Sequence, residues 1–206
     1  MSTQIEGVFP HDLLSYDDVE LLPKRLQPAI EGLIPIWHSY WGRLHPPKSG
    51  AELAWHIRIW GPVLSGLTPR QQWESGKGPM LFAPEATVET SPFHLILGRR
   101  CLFANMGVKW WWAMDCPARL YEVRDYFRWL ASALDSSAFI LYREDGGLTS
   151  DWVCQGMTLE EIEREKVKHG AKKAHDIDAL RYSSKKILKT RYYRESLVGS
   201  SGAETR

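Results

Sequence analysis

The chain has 206 residues, 44% of them hydrophobic and 25% charged, with a formal net charge of +1. That length and balance predict one folded domain and exclude a disordered chain, and Arg58, Arg99, Arg100 and Lys109 interrupt the most apolar regions, which excludes a membrane-spanning helix. The opening residues Met1 to Gly7 lack the basic and apolar regions of a secretory signal, so the expectation is a cytoplasmic protein without membrane association.

In chain order, residues 17–44 read as helix broken into pieces by Pro23, Pro28 and Pro35, with Leu22, Leu26, Ile30, Leu33 and Trp37 giving an apolar stripe. Ser49 and Glu52 have capping-box spacing, which predicts a second helix to about Trp60, although Trp55, Ile57 and Ile59 also alternate as a strand does. Thr68-Pro69 sets an N-cap and first helical position for a short helix ending near Trp73. Met80 to Phe82, Phe93 to Leu97, Cys101 to Ala104 and Val108 to Met114 are β-branched and aromatic runs separated by turn residues, and Ala138 to Arg143 is another. Between them Pro117 opens the best-defined helix, with Leu120, Val123, Phe127, Leu130 and Leu134 at helical spacing. Thr158 and Glu161 form a second capping box, starting a helix that Gly170 ends.

This order predicts an α+β fold: a central antiparallel sheet from residues 80 to 143, covered by helices on one face, in a single domain spanning residues 1–195. Residues 172–195 read as a basic helical extension and residues 196–206 as a disordered tail. Charge is unevenly spread: residues 1–163 carry 14 Lys/Arg against 20 Asp/Glu, whereas residues 164–194 carry 11 against 3. An acidic body attracts the basic segment and repels phosphates, so docking of the segment on the body competes with nucleic-acid binding.

Catalytic signatures are missing from the sequence. The nucleophile elbow, the phosphate loop, the dinucleotide glycine fingerprint and the calcium loop are absent, and Ser183 to Lys186 matches Ser-x-x-Lys without its partner motifs. The seven histidines, at 11, 38, 45, 56, 94, 169 and 175, never fall at the spacing that places two imidazoles on one metal from a single helix face. Cys101, Cys116 and Cys154 are an odd number without a Cys-x-x-Cys pair, which predicts reduced residues. No cofactor or metal is expected.

The ten tryptophans are the compositional anomaly. Read as a strand, Lys109-Trp110-Trp111-Trp112 places Trp110 and Trp112 on one side and Trp111 on the other, so a solvated sheet face would present an indole to a partner. Asp145 and Asp151 flank the Gly146-Gly147 turn and offer carboxylates to rim such a surface. Trp110, Trp111, Trp112, Asp145 and Asp151 are therefore the candidate partner-binding residues.

The stretch from Tyr126 to Gly147, a helix leading into a strand and a glycine turn, followed by Gly156-Met-Thr-Leu-Glu-Glu-Ile-Glu163, resembles bacterial polymorphic-toxin immunity proteins. With the tryptophan-rich segment before it, the resemblance covers roughly residues 80–165. It implies a small cytosolic α+β protein that neutralises a cognate toxin, often a nuclease, in a tight complex, and it carries over no catalytic residue. The functional expectation is thus an inhibitory protein-protein interaction rather than an enzyme. Two alternatives stand beside it: a small hydrolase-type enzyme with a site assembled from dispersed Asp, Glu and His, and a nucleic-acid-binding protein using the basic segment.

Overall fold

The computed structural model describes residues 4–41, 55–62, 66–76, 80–86, 94–182 and 191–197. In chain order the elements are β1 (Gln4–Pro10), α1 (Tyr16–Trp41), β2 (Trp55–Pro62), α2 (Pro69–Ser75), β3 (Met80–Ala86), β4 (His94–Leu97) and β5 (Cys101–Lys109). There follow α3 (Trp110–Asp115), α4 (Pro117–Ala133), β6 (Ala138–Arg143), α5 (Leu148–Cys154), α6 (Leu159–Lys168), β7 (Lys172–Lys173), a 3₁₀ turn (Asp178–Tyr182) and β8 (Arg191–Ser196). The strands form one sheet in the order β2-β3-β4-β5-β1-β6-β8-β7. Every ladder is antiparallel except the two-residue pairing of β7 with β8. The chain is a single α+β domain, and no helix among the described residues is long and apolar enough to cross a membrane.

Helices cover both faces of the sheet, not one. Ile5, Phe9, Leu102, Ala104, Phe139 and Leu141 face a core built with Leu22, Leu26, Trp112, Leu120, Val123 and Phe127 from α1, α3 and α4. The intervening residues Val8, Cys101, Phe103, Ala138, Ile140 and Tyr142 face a second core with Trp152, Val153, Leu159 and Ile162 from α5 and α6. Burial on both faces is why β5 and β6 read as continuous apolar runs instead of alternating.

The N-terminal strand β1 lies at the middle of the sheet, between β5 and β6. A Cβ at Gly7 would stand 1.8 Å from Phe127 Cε1 and 2.9 Å from the Ile140 carbonyl oxygen, so α4 approaches the sheet over a position that only glycine fits. The helix α4 packs on the sheet as its spacing predicts, with Leu120, Val123, Phe127, Leu130 and Leu134 all buried. Both the Thr68–Gln71 and Thr158–Glu161 capping boxes are formed, each closing two otherwise orphaned amides.

Three further expectations are corrected. α1 is one helix through Pro23, Pro28 and Pro35; Val19, Leu22, Leu26 and Ala29 are buried while Pro23 and Pro28 are not, so the buried stripe holds the helix together and the missing amides fall away from the core. Residues 55–62, read as helix, form β2 because their alternating apolar residues find β3 as a partner; Ser49 to Ala54 lie outside the described residues. The basic C-terminal segment enters the sheet as β8, including Ser196, rather than forming a helical extension; 183–190 and the remainder of the tail, 198–206, lie outside the described residues.

Candidate functional site

The tryptophan triplet is a helix and not a strand. Lys109 pairs with Gln4 in the last rung between β5 and β1, so residues 110–115 lie beyond the ladder and satisfy their backbone groups as α3. Trp110 and Trp112 are buried in the first core, with Trp112 only 1% exposed, and the Arg119 guanidinium lies 4.8 Å from the Trp112 ring centroid. Neither is an exposed anchor. Trp111 is 56% exposed on the outer side of α3.

A second exposed indole lies on the next helix. Trp129, 54% exposed, falls off the buried stripe of α4, so the helical period turns it outward. Glu122 and Asp125 precede it on the same outward side, seven and four residues back. Asp125 Oδ1 accepts from Arg124 Nη2 at 3.0 Å and from Arg128 Nη1 at 3.1 Å, and Arg128 also donates through Nε to Glu195 on β8. The result is an indole on a helix whose neighbouring Asp125, Arg124 and Arg128 are joined by ion pairs.

Asp145 is interior, which corrects its assignment as a surface carboxylate. The turn after β6 folds it inward, where it accepts from the Thr149 amide at 3.2 Å and from the Thr149 hydroxyl, and pairs with Lys166 Nζ of α6 at 2.8 Å. Lys166 and Asp145 are 3% and 8% exposed at their side chains, and Lys166 Nζ also lies 3.2 Å from the centroid of the Tyr142 ring. Burial pushes the Lys166 ammonium below its usual range, against the pull of Asp145. Glu6 of β1 joins the same cluster: its Oε1 accepts from Asn105 Nδ2 at 3.2 Å, and burial, then Asp145, push its carboxyl up to about 8. Asp151 is exposed in the first turn of α5, where the helix dipole favours a carboxylate.

The rungs Gln4–Lys109 and Ile5–Arg143 bring the start of α3 and the Asp145 turn to one end of the sheet, with Trp112 in the first core and Asp145 beneath α6 behind the other face. Asp151 belongs to α5, which packs on β4 and β5, and does not join them. The predicted set therefore splits into two core tryptophans, one internal ion-pair partner, and two exposed side chains on different elements.

His11 is locked in the core: its Nδ1 accepts from the Leu13 amide at 3.3 Å, which leaves Nε2 to donate to the Gly98 carbonyl at 3.0 Å, and burial lowers its pKa to about 4. His169 makes a tilted ring contact with Trp152 and His175 pairs with Asp176 at the surface, so these three imidazoles stand in separate environments. Two open grooves of about 450 and 390 Å³ flank α6, and neither is lined by a histidine. Among the described residues no three His, Cys, Asp or Glu side chains come together as metal ligands would. In the basic segment, Arg194 pairs with Glu163 and with Glu160 at 3.2 Å, and Lys173 lies 3.8 Å from Glu163, so the acidic body draws these cations onto α6.

No protein family and no curated protein matches the chain. Among solved structures it is similar to Pseudomonas aeruginosa T6SS protein PA0821, with a TM-score of 0.36 and 9% identity over 68% of this chain and 42% of that one. The chain thus spans less than half the length of that structure, and a likeness this distant carries nothing to the function.

Proposed function

We propose that the protein works by binding another protein and blocking it, as an immunity protein neutralises a toxic enzyme. The observation that carries the reading is the exposure of Trp111 and Trp129 on the consecutive helices α3 and α4. An indole left in water forgoes roughly 25 cal/mol for each Å² of apolar area that burial would remove. Interface free energy concentrates in a few such residues, where truncation costs at least ~2 kcal/mol. The ion-paired carboxylates and arginines beside Trp129 supply a polar rim for an apolar anchor.

The described arrangement favours this over the two alternatives. The enzyme reading needs converging acid and base groups, whereas His11, Glu6, Asp145 and Lys166 are sealed in the interior. The nucleic-acid reading needs unengaged cations, whereas among the described residues of the basic segment Arg194 and Lys173 are paired with carboxylates. The test is co-purification with a candidate toxic enzyme, followed by dissociation kinetics for Trp111→Ala and Trp129→Ala. A stoichiometric complex whose dissociation accelerates in either variant supports the reading, and a complex indifferent to both substitutions removes these helices from the interface.

A further inference from the structure

We propose that Glu6, Asp145 and Lys166 form a proton-dependent clamp that holds α6 against the sheet, closed while Glu6 carries its proton and loosened when that proton is lost to solvent. The inference is independent of the binding role, because it rests on the interior of the second layer alone.

The cluster joins five elements. β1 contributes Glu6, β5 Asn105, β6 Tyr142, α5 Thr149 and α6 Lys166, with Glu144 and Asp145 on the turn after β6. Two carboxyls, Glu6 and Asp145, lie buried with one ammonium, Lys166. Asp145 takes the ammonium directly, and its oxygens also accept from Thr149. Glu6 has Asn105 on Oε1, while its Oε2 and the Tyr142 hydroxyl are buried near each other without a hydrogen bond of normal geometry. Glu144 is turned to the Gln4 amide, which it accepts at 2.8 Å, and adds another negative charge nearby.

With Glu6 neutral the three groups sum to zero, Asp145 and Lys166 cancelling. Ionising Glu6 leaves one uncompensated negative charge in the interior, where a lone charge is strongly disfavoured. Burial is the main cause holding its proton, followed by Asp145 and Glu144, with Lys166 and Tyr142 opposing. Ionised Glu6 attracts the Lys166 ammonium but repels Asp145, and as an uncompensated buried charge it is relieved only by water, so α6, the layer over the cluster, is the part that must lift to admit it.

The sign follows from linkage. Glu6 has a folded pKa of about 8, raised above its unfolded value of 4.5, so its stabilising contribution is complete below 4.5 and is lost as pH rises through 8. Between these values the unfolding constant of the wild type, relative to that of Glu6→Gln, is expected to rise roughly tenfold per pH unit. Urea unfolding of the two proteins at pH 6, 7 and 8 reads that ratio. Amide exchange at pH 9, where the intrinsic rates are common to both, should be faster across α6 in the wild type than in Glu6→Gln. Infrared spectra of the folded wild type provide a reading that needs no variant: a protonated carboxyl band present at pH 7 and lost near pH 8. A constant ratio, equal α6 exchange, or no protonated carboxyl at pH 7 would each overturn the clamp.

Discussion

Lys166 Nζ stands 2.8 Å from Asp145 Oδ2 with both side chains buried, so α6 is tied to the turn after β6 by an ion pair that water does not reach. Removing one partner strands the other charge. Lys166→Met should destabilise the fold by about 3–5 kcal/mol, and Lys166→Met with Asp145→Asn should recover much of that loss, because the pair is then removed whole. Urea denaturation of both variants checks it.

Trp111 and Trp112 are neighbours in sequence with opposite expectations. Trp112→Ala empties a core position and should cost about 3–5 kcal/mol. Trp111→Ala and Trp129→Ala, at exposed positions, should remain within about 0.5 kcal/mol of wild type. Thermal unfolding separates them, and a large loss at either exposed indole would make it part of the packing.

His11 and Glu6 oppose each other across mildly acidic pH. The folded pKa of His11 is lowered to about 4, so its contribution is present above its unfolded value of 6.5 and lost as pH falls through 4. Glu6 has the reverse slope above 4.5. Wild-type stability should therefore be nearly level from pH 4.5 to 6.5. His11→Gln should lose stability as pH rises across that interval, and Glu6→Gln should gain it, by about 1.4 kcal/mol per pH unit. Urea midpoints at the two pH values measure both slopes.

Gly7→Ala places a methyl where the Phe127 ring already lies. The expected cost is ~1–3 kcal/mol or more, because the backbone oxygen of Ile140 blocks retreat on the other side. Adding Phe127→Leu should relieve part of it, which a double-mutant cycle in urea reads directly.

Much of the fold is legible where local chemistry and tertiary position agree. The helix spacing of α4 and the capping boxes at Thr68 and Thr158 specify their elements without help from the rest of the chain. β1 is not legible, because Glu6 and Gly7 interrupt a short apolar run and their reasons, Lys166 with Asp145 and the Phe127 ring, lie more than a hundred residues away. β8 reads as a soluble basic stretch for the same reason: Arg194 finds Glu160 and Glu163, and Glu195 finds Arg128, only once the sheet is assembled. The candidate surface was half visible. Trp111 stands out through its triplet, whereas Trp129 is marked only by spacing, since an indole two residues past Phe127 cannot share the buried stripe of the same helix.

That the chain neutralises a partner by binding it is open to a direct test, co-expression with a candidate toxic enzyme. The wild type should restore growth and purify with that enzyme as a stoichiometric complex, and Trp111→Ala with Trp129→Ala, folded to the same stability, should shorten the lifetime of the complex by tenfold or more, corresponding to about 1.4 kcal/mol or more. Growth arrest unchanged by the wild type, with no complex recovered, would contradict it.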